Sequence, residues 1–148
     1  MGTAAKDFFS KQEKEDIELA IMNAELDTSG EIRIHIENNV TGEVMDRAAF
    51  IFKQLGMNNT ELRNGVLIYL AVKNRRFAII GDSGIHKVVP ENFWGDIKAN
   101  MLNHFRENRF TDGLIEAIAA TGIQLKKHFP HHRDDVNELS DEISFGKD

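Results

Sequence analysis

Apolar residues along this chain recur at two different periods, and the points where the period changes mark its elements. Ser10 followed three residues later by Glu13 forms a capping-box pattern, after which Ile17, Ala20, Ile21 and Ala24 repeat at helical spacing. A first helix over about 10–27 is predicted. The segment 30–37, GEIRIHIE, alternates strictly, with Ile32, Ile34 and Ile36 on one face and Glu31, Arg33, His35 and Glu37 on the other. That pattern predicts a strand with one wet or edge-facing side. From 43 to 55, Val44, Ala48, Ile51, Phe52 and Leu55 make a helical stripe, and Gly56 stands where a left-handed residue would close the helix.

Two runs of strand length follow, VLIYLAV at 66–72 and RFAIIGD at 76–82, joined by the short polar turn Lys73, Asn74, Arg75. A hairpin is expected. Pro90 suits a first helical position, and Phe93, Trp94, Ile97, Met101 and Phe105 then line one face of a helix over about 90–107, more readily a core stripe than a ligand platform. Thr111 is read as the cap of a fourth long helix that carries Leu114, Ile115, Ile118, Ala119 and Leu125 and must stop before Pro130. A strand, a crossover helix, a parallel strand, an antiparallel partner and two helices describe an α/β fold, a small mixed sheet between helix layers. The outline is Rossmann-like, without the glycine fingerprint of a dinucleotide site or a P-loop.

Composition narrows the chemistry. The chain has 148 residues, suited to one core, and no cysteine, which removes disulfides, thiolate nucleophiles and Cys-type zinc sites. Its longest apolar run, Val66 to Val72, is far too short to span a bilayer, so no membrane span is expected. The opening residues MGTAAKDFF lack the basic start and apolar run of a secretory signal, which predicts a cytoplasmic location. Net charge is −6, and residues 131–148 contribute −4 of it, since Arg133 and Lys147 face six carboxylates there. An acidic chain of this kind is not expected to bind nucleic acid, which calls for a basic stripe.

The stretches TSGEIRIHIE (28–37), RNGVLIYLAV (63–72), FAIIGDSGIHKVVPENFW (77–94) and HFRENRFTDGLIEAI (104–118) resemble the successive signature blocks of the TPM domain family. The resemblance covers about 8–130, and DDVNELSDEISFG at 134–146 looks like the tail of the family's stand-alone bacterial branch. It implies a three-layer α/β/α sandwich, calcium or magnesium binding, and acid phosphatase activity of the kind reported for the thylakoid-lumen relative; other relatives are accessory proteins without known chemistry. The acidic extension, 131–148, is expected to pack on the domain. One departure is Arg109 before Phe110, where many relatives carry an acidic residue.

Candidate ligands fall in two groups. Arg63 and Asn64 precede the second strand and Asp82 follows the third, so a hairpin brings them to one rim of the sheet. There Asp82 and Asn64 could supply oxygens to a hard cation and Arg63 could clamp a phosphate, or Arg63 and Asp82 could pair as a structural ion bridge. Asp46 and Asp112 sit near the starts of the crossover and fourth helices, where they serve either as further metal ligands or as charges favoured by the helix dipole. Asp46 follows the first strand, so it belongs at the rim opposite Asp82. His86 beside Asp82 is a candidate acid or nucleophile with a surface role as its plainer alternative, and Ser83 in GDSG has only a superficial likeness to a serine-protease motif. Asp134, Asp135, Asn137, Glu138, Asp141 and Glu142 are dense in oxygen but lack EF-hand spacing. The expected partners are a divalent cation and a phosphorylated small molecule or a protein; no catalytic nucleophile stands out.

Overall fold

The structure, a computed structural model, is described for residues 5–130 and 143–146. Helix α1 (Lys11–Glu25) begins as its capping box dictates: Ser10 Oγ accepts the Glu13 N–H at 3.1 Å and the Glu13 carboxylate accepts the Ser10 N–H at 2.9 Å. Strand β1 (Glu31–Glu37) leads through α2 (Val44–Gln54) to β2 (Gly65–Ala71), which lies parallel to β1 with Glu31 opposite Gly65 and Glu37 opposite Ala71. Leu55 ends α2, and Gly56 turns the chain away at φ +73°, in the left-handed region open to glycine. Strand β3 (Arg76–Gly81) returns antiparallel to β2, so that Gly81 faces Val66.

A one-turn helix α3 (Ser83–His86), then α4 (Phe93–Arg106) and α5 (Phe110–His128), complete the central part. Strand β4 (Ser144–Phe145) pairs in parallel with β1, giving the sheet order β3-β2-β1-β4.

Two apolar layers sandwich this mixed sheet. On one face Ile32, Ile34, Ile36, Val66, Ile68 and Leu70 meet Ile17 and Ile21 of α1, Met101 of α4, and Leu114 and Ile118 of α5. On the other, Leu67, Tyr69, Ala71 and Ala78 meet Ala48, Ile51 and Phe52 of α2. The architecture is therefore the expected three-layer α/β/α arrangement. No helix among the described residues is long and apolar enough to cross a membrane.

Three sequence expectations need correction. Helix α4 starts at Phe93 rather than Pro90, because residues 91–92 form a turn before the helical ladder begins. Thr111 is not a cap: Arg109 holds the N-cap position of α5 without a side-chain bond, and Thr111 Oγ1 donates instead to Glu13 at 2.8 Å, tying the start of α5 to the capping box of α1. The polar face of β1 is not wet either. Glu31, His35 and Glu37 are 2%, 4% and 6% exposed, since β2 and β4 flank the strand and α2 covers that face of the sheet. Ile97, Met101 and Phe105 are buried and Phe93 and Trp94 pack against them, as a core stripe should. The acidic residues at 134–142 lie outside the described residues.

The last turn of α5 is stitched to the start of β1. Thr28 Oγ1 lies 2.9 Å from the Leu125 carbonyl and 2.5 Å from that of Phe129, and accepts the Gly30 N–H at 3.0 Å. Thr28→Val keeps the shape but leaves these buried groups short of a partner, so urea unfolding should show a loss of about 1–2 kcal/mol. An unchanged midpoint would show that the hydroxyl does not hold the two ends together.

Candidate functional site

At the rim where β1 and β2 begin, Asp82 caps α3, its Oδ1 accepting the Ser83 N–H at 2.7 Å. Arg63, at φ +52°, brings Nε to 2.7 Å from Oδ2 and Nη2 to 2.9 Å from Oδ1, a two-pronged contact that holds the guanidinium in its charged form. Both oxygens of Asp82 are thus engaged. Gly84 makes the close approach possible: its N–H donates to the Arg63 carbonyl at 2.7 Å, leaving no room for a side chain. Asn64, 1% exposed, turns its amide towards Ser29 Oγ at 3.3 Å. Nδ1 of the exposed His86 accepts from the Trp94 indole at 3.2 Å.

Arg63 and Asp82 therefore meet as the hairpin predicts, with Asn64 next in the chain. Asp46 and Asp112 do not join them. Asp46 is exposed in the first turn of α2, beyond the far end of β1. Helix α5 ends beside the start of β1, where Thr28 bridges Pro130, so its first turn and the exposed Asp112 lie towards the far rim, on the opposite face of the sheet from α2. Among the described residues no three His, Asp or Glu side chains are placed to hold one metal ion. Arg63 and Ser83 engage both oxygens of the Asp82 carboxylate, so a cation at this rim would have to displace the guanidinium.

A second constellation lies under α2. A cleft of about 410 Å³ is lined by His35, Glu37, Arg47, Phe50, Ile51, Gln54, Leu55, Ser144, Phe145 and Gly146. Alternation puts His35 and Glu37 on the α2 face of β1, and β2 sets Tyr69 beside them, its ring stacked on His35 at 6.0 Å. Glu37 is the hub. It accepts from Arg47 Nη2 at 2.7 Å and Nε at 3.1 Å, from Tyr69 Oη at 3.1 Å, and from His35 Nε2 at 3.1 Å. Burial raises the Glu37 carboxyl, but Arg47 and His35 together outweigh it and hold the pKa below the usual carboxylate range. Burial pushes Tyr69 up to about 12 and, against the pull of Glu37, lowers His35 from its ordinary value. The imidazole is therefore neutral at pH 7.

An ionised Glu37 can only accept, so His35 carries its hydrogen on Nε2, and Nδ1 is left as the acceptor that faces Ser144 Oγ at 3.0 Å. Arg47 keeps 38% of its side chain exposed at the cleft, over the ring of Phe50. The C-terminal segment fits because residue 146 is glycine: its N–H donates to the Ile36 carbonyl at 2.8 Å, and a Cβ there would overlap the Glu37 side chain.

Sequence reasoning placed His35 and Glu37 on one face of β1 and read that face as wet or edge-facing, whereas both side chains are buried. It offered no way to bring in Ser144, 109 residues away.

The TPM domain model matches residues 3–124. The chain belongs to the TPM domain family. Its fold superposes on that of the BA42 protein from the psychrophilic bacterium Bizionia argentinensis with a TM-score of 0.86 and 43% sequence identity, covering 94% of this chain and 96% of that one. It also superposes on the N-terminal domain of a protein from P. gingivalis (TM-score 0.69, 22% identity, 84% and 83% covered) and on that of cg2496 from Corynebacterium glutamicum (0.65, 12%, 85% and 86%). The last two identities establish likeness of fold alone. No curated protein matches the chain.

Proposed function

We propose that this TPM domain binds phosphate esters in the cleft between α2 and β4 and hydrolyses them slowly. The carrying observation is the meeting in one open cleft of a partly exposed guanidinium and a buried imidazole, both held by the Glu37 carboxylate, with a hydroxyl bonded to the imidazole. Arginine presents donors in a planar fork that matches phosphate oxygens, and Arg47, steered by Glu37 on one edge, can offer the rest of its fork to a ligand. Phosphoryl transfer relies mainly on positioning and on charge stabilisation of this kind. The acid phosphatase activity implied by the family resemblance agrees with this chemistry.

The test is a titration with inorganic phosphate followed by amide shifts, together with turnover of p-nitrophenyl phosphate. Saturable shifts at 35–37, 47 and 144–146 are expected, with hydrolysis that falls on Arg47→Lys, which keeps the charge and loses the fork. Shifts without turnover would make the domain a non-catalytic binding module. Shifts elsewhere, or none, would remove the cleft from consideration.

Calcium or magnesium enters this reading as a competitor with Arg63 for Asp82. The favouring observation is that the Arg63 side chain is 50% exposed and free to turn into water. A calcium titration should then move the amides of 62–65 and 81–85 only weakly, and more strongly in Arg63→Gln; no movement in either protein would eliminate a cation at this rim.

A further inference from the structure

We propose that Ser144, with His35 as its base and Glu37 as the group that orients the base, is a nucleophile that takes the phosphoryl group of a phosphate monoester in the α2–β4 cleft. This rests on the reading of the cleft as a phosphate-ester site and adds to it a covalent step and a named acceptor atom.

Three independent placements carry it. The first is the relay itself: Ser144 Oγ to His35 Nδ1 at 3.0 Å, and His35 Nε2 to Glu37 Oε1 at 3.1 Å. A nucleophile in hydrogen-bond reach of a base that a third group orients is the arrangement of activated serines on unrelated folds, here with the two ring nitrogens exchanged. The second is rigidity. Glu37 is held by Arg47 and Tyr69, and Ser144 stands opposite His35 in the parallel pairing of β4 with β1, which the Gly146 N–H locks to Ile36. The third is access. Ser144 and His35 both line the open cleft, with Arg47 on its wall.

Phosphoryl transfer suits this cleft better than acyl transfer. An acyl intermediate needs free donors aimed at one oxyanion, and the Gly146 backbone N–H, beside Ser144, is already bonded to Ile36. Charge in phosphoryl transfer spreads over several oxygens, which a guanidinium neutralises. In the first step Oγ forms a bond to phosphorus as the ester P–O bond breaks. The Ser144 proton moves to His35 Nδ1, which stays an imidazolium and still donates through Nε2 to Glu37, while the departing alkoxide, in line on the far side of phosphorus, takes its proton from solvent. In the second step water attacks phosphorus from that far side and gives its proton to solvent. The P–Oγ bond breaks, inorganic phosphate leaves, and Oγ recovers its hydrogen from the imidazolium Nδ1.

The test uses the full chain with p-nitrophenyl phosphate. Acid quenching during turnover followed by peptide mass spectrometry should find one phosphoryl group on Ser144, and an added alcohol such as glycerol should divert part of the phosphoryl group from water. Ser144→Ala should lose kcat about a hundredfold or more, while inorganic phosphate still shifts the amides of 35–37 and 47. Trapping and alcohol transfer are read on the unaltered chain, so they stand even where a variant releases β4. Turnover with no phosphoserine and full activity in Ser144→Ala would overturn the nucleophile and leave the cleft reading intact. Absence of both turnover and phosphate shifts at the cleft would overturn both.

Discussion

Glu37→Ala is expected to remove about 3–4 kcal/mol of stability at pH 7. The carboxylate gathers hydrogen bonds from Arg47, Tyr69 and His35. Tyr69 is fully buried and His35 is 4% exposed, so each loses the acceptor that its donor is built against; an orphaned buried donor costs about 1–3 kcal/mol. Arg47, partly exposed, can turn outwards and adds less. For a chain of this size the melting temperature should fall by roughly 10 °C.

The pH profile gives a second readout. The folded pKa of His35 lies below its ordinary 6.5, so the unfolded chain takes up its proton first and native stability declines as pH falls below that value. The folded pKa of Glu37 lies below 4.5, so its contribution is present above that pH and lost beneath it. In Glu37→Ala the second decline should vanish. The first should steepen, because the hydrogen bond and charge that raise the His35 pKa are gone. Urea midpoints at neutral, mildly acidic and strongly acidic pH separate the two; a variant within 1 kcal/mol of the parent at neutral pH would mean that Glu37 is not the hub.

Gly84→Ala should be about as damaging, at roughly 3 kcal/mol. A Cβ at this position would run into the carbonyl oxygens of both Leu62 and Arg63. Backbone cannot step aside as a flexible side chain can, so the loop before β2 must shift and the two-pronged contact of Arg63 with Asp82 opens. Gly95 supplies the contrast. It lies exposed in α4 with nothing within 4 Å of a would-be Cβ, and Gly95→Ala should stabilise by up to about 1 kcal/mol through helix propensity. Thermal unfolding of the pair tests the argument directly, since equal shifts would mean that the loss at 84 comes from something other than steric contact.

Much of the fold can be read from the order of the residues because its signals are local. The capping box at Ser10 and Glu13, the alternation of 30–37, the polar turn between 72 and 76 and the glycine at 56 act within a few residues of themselves, and each forms where expected. The meeting of Arg63 with Asp82 follows from the hairpin alone. The cleft was illegible for a different reason. Whether the polar side of β1 faces water depends on what lies beyond its edge, and that is β4, two residues long and arriving from more than a hundred positions away. No periodicity marks so short a strand. Tyr69 was equally hidden, since a tyrosine within an unbroken apolar run looks like core until the strand beside it supplies a carboxylate.

The pairing of β4 with β1 also fixes an order of events during biosynthesis. Residues 5–130 leave the ribosome with both apolar layers of the sandwich available to collapse, yet Ser144 and Gly146 come later. Until they dock, one edge of β1 is open to any passing strand and His35 has no hydroxyl beside it. The same four residues, 143–146, thus close the sheet against misassociation and complete the cleft, so that a molecule still able to aggregate through that edge is also one whose cleft is unfinished.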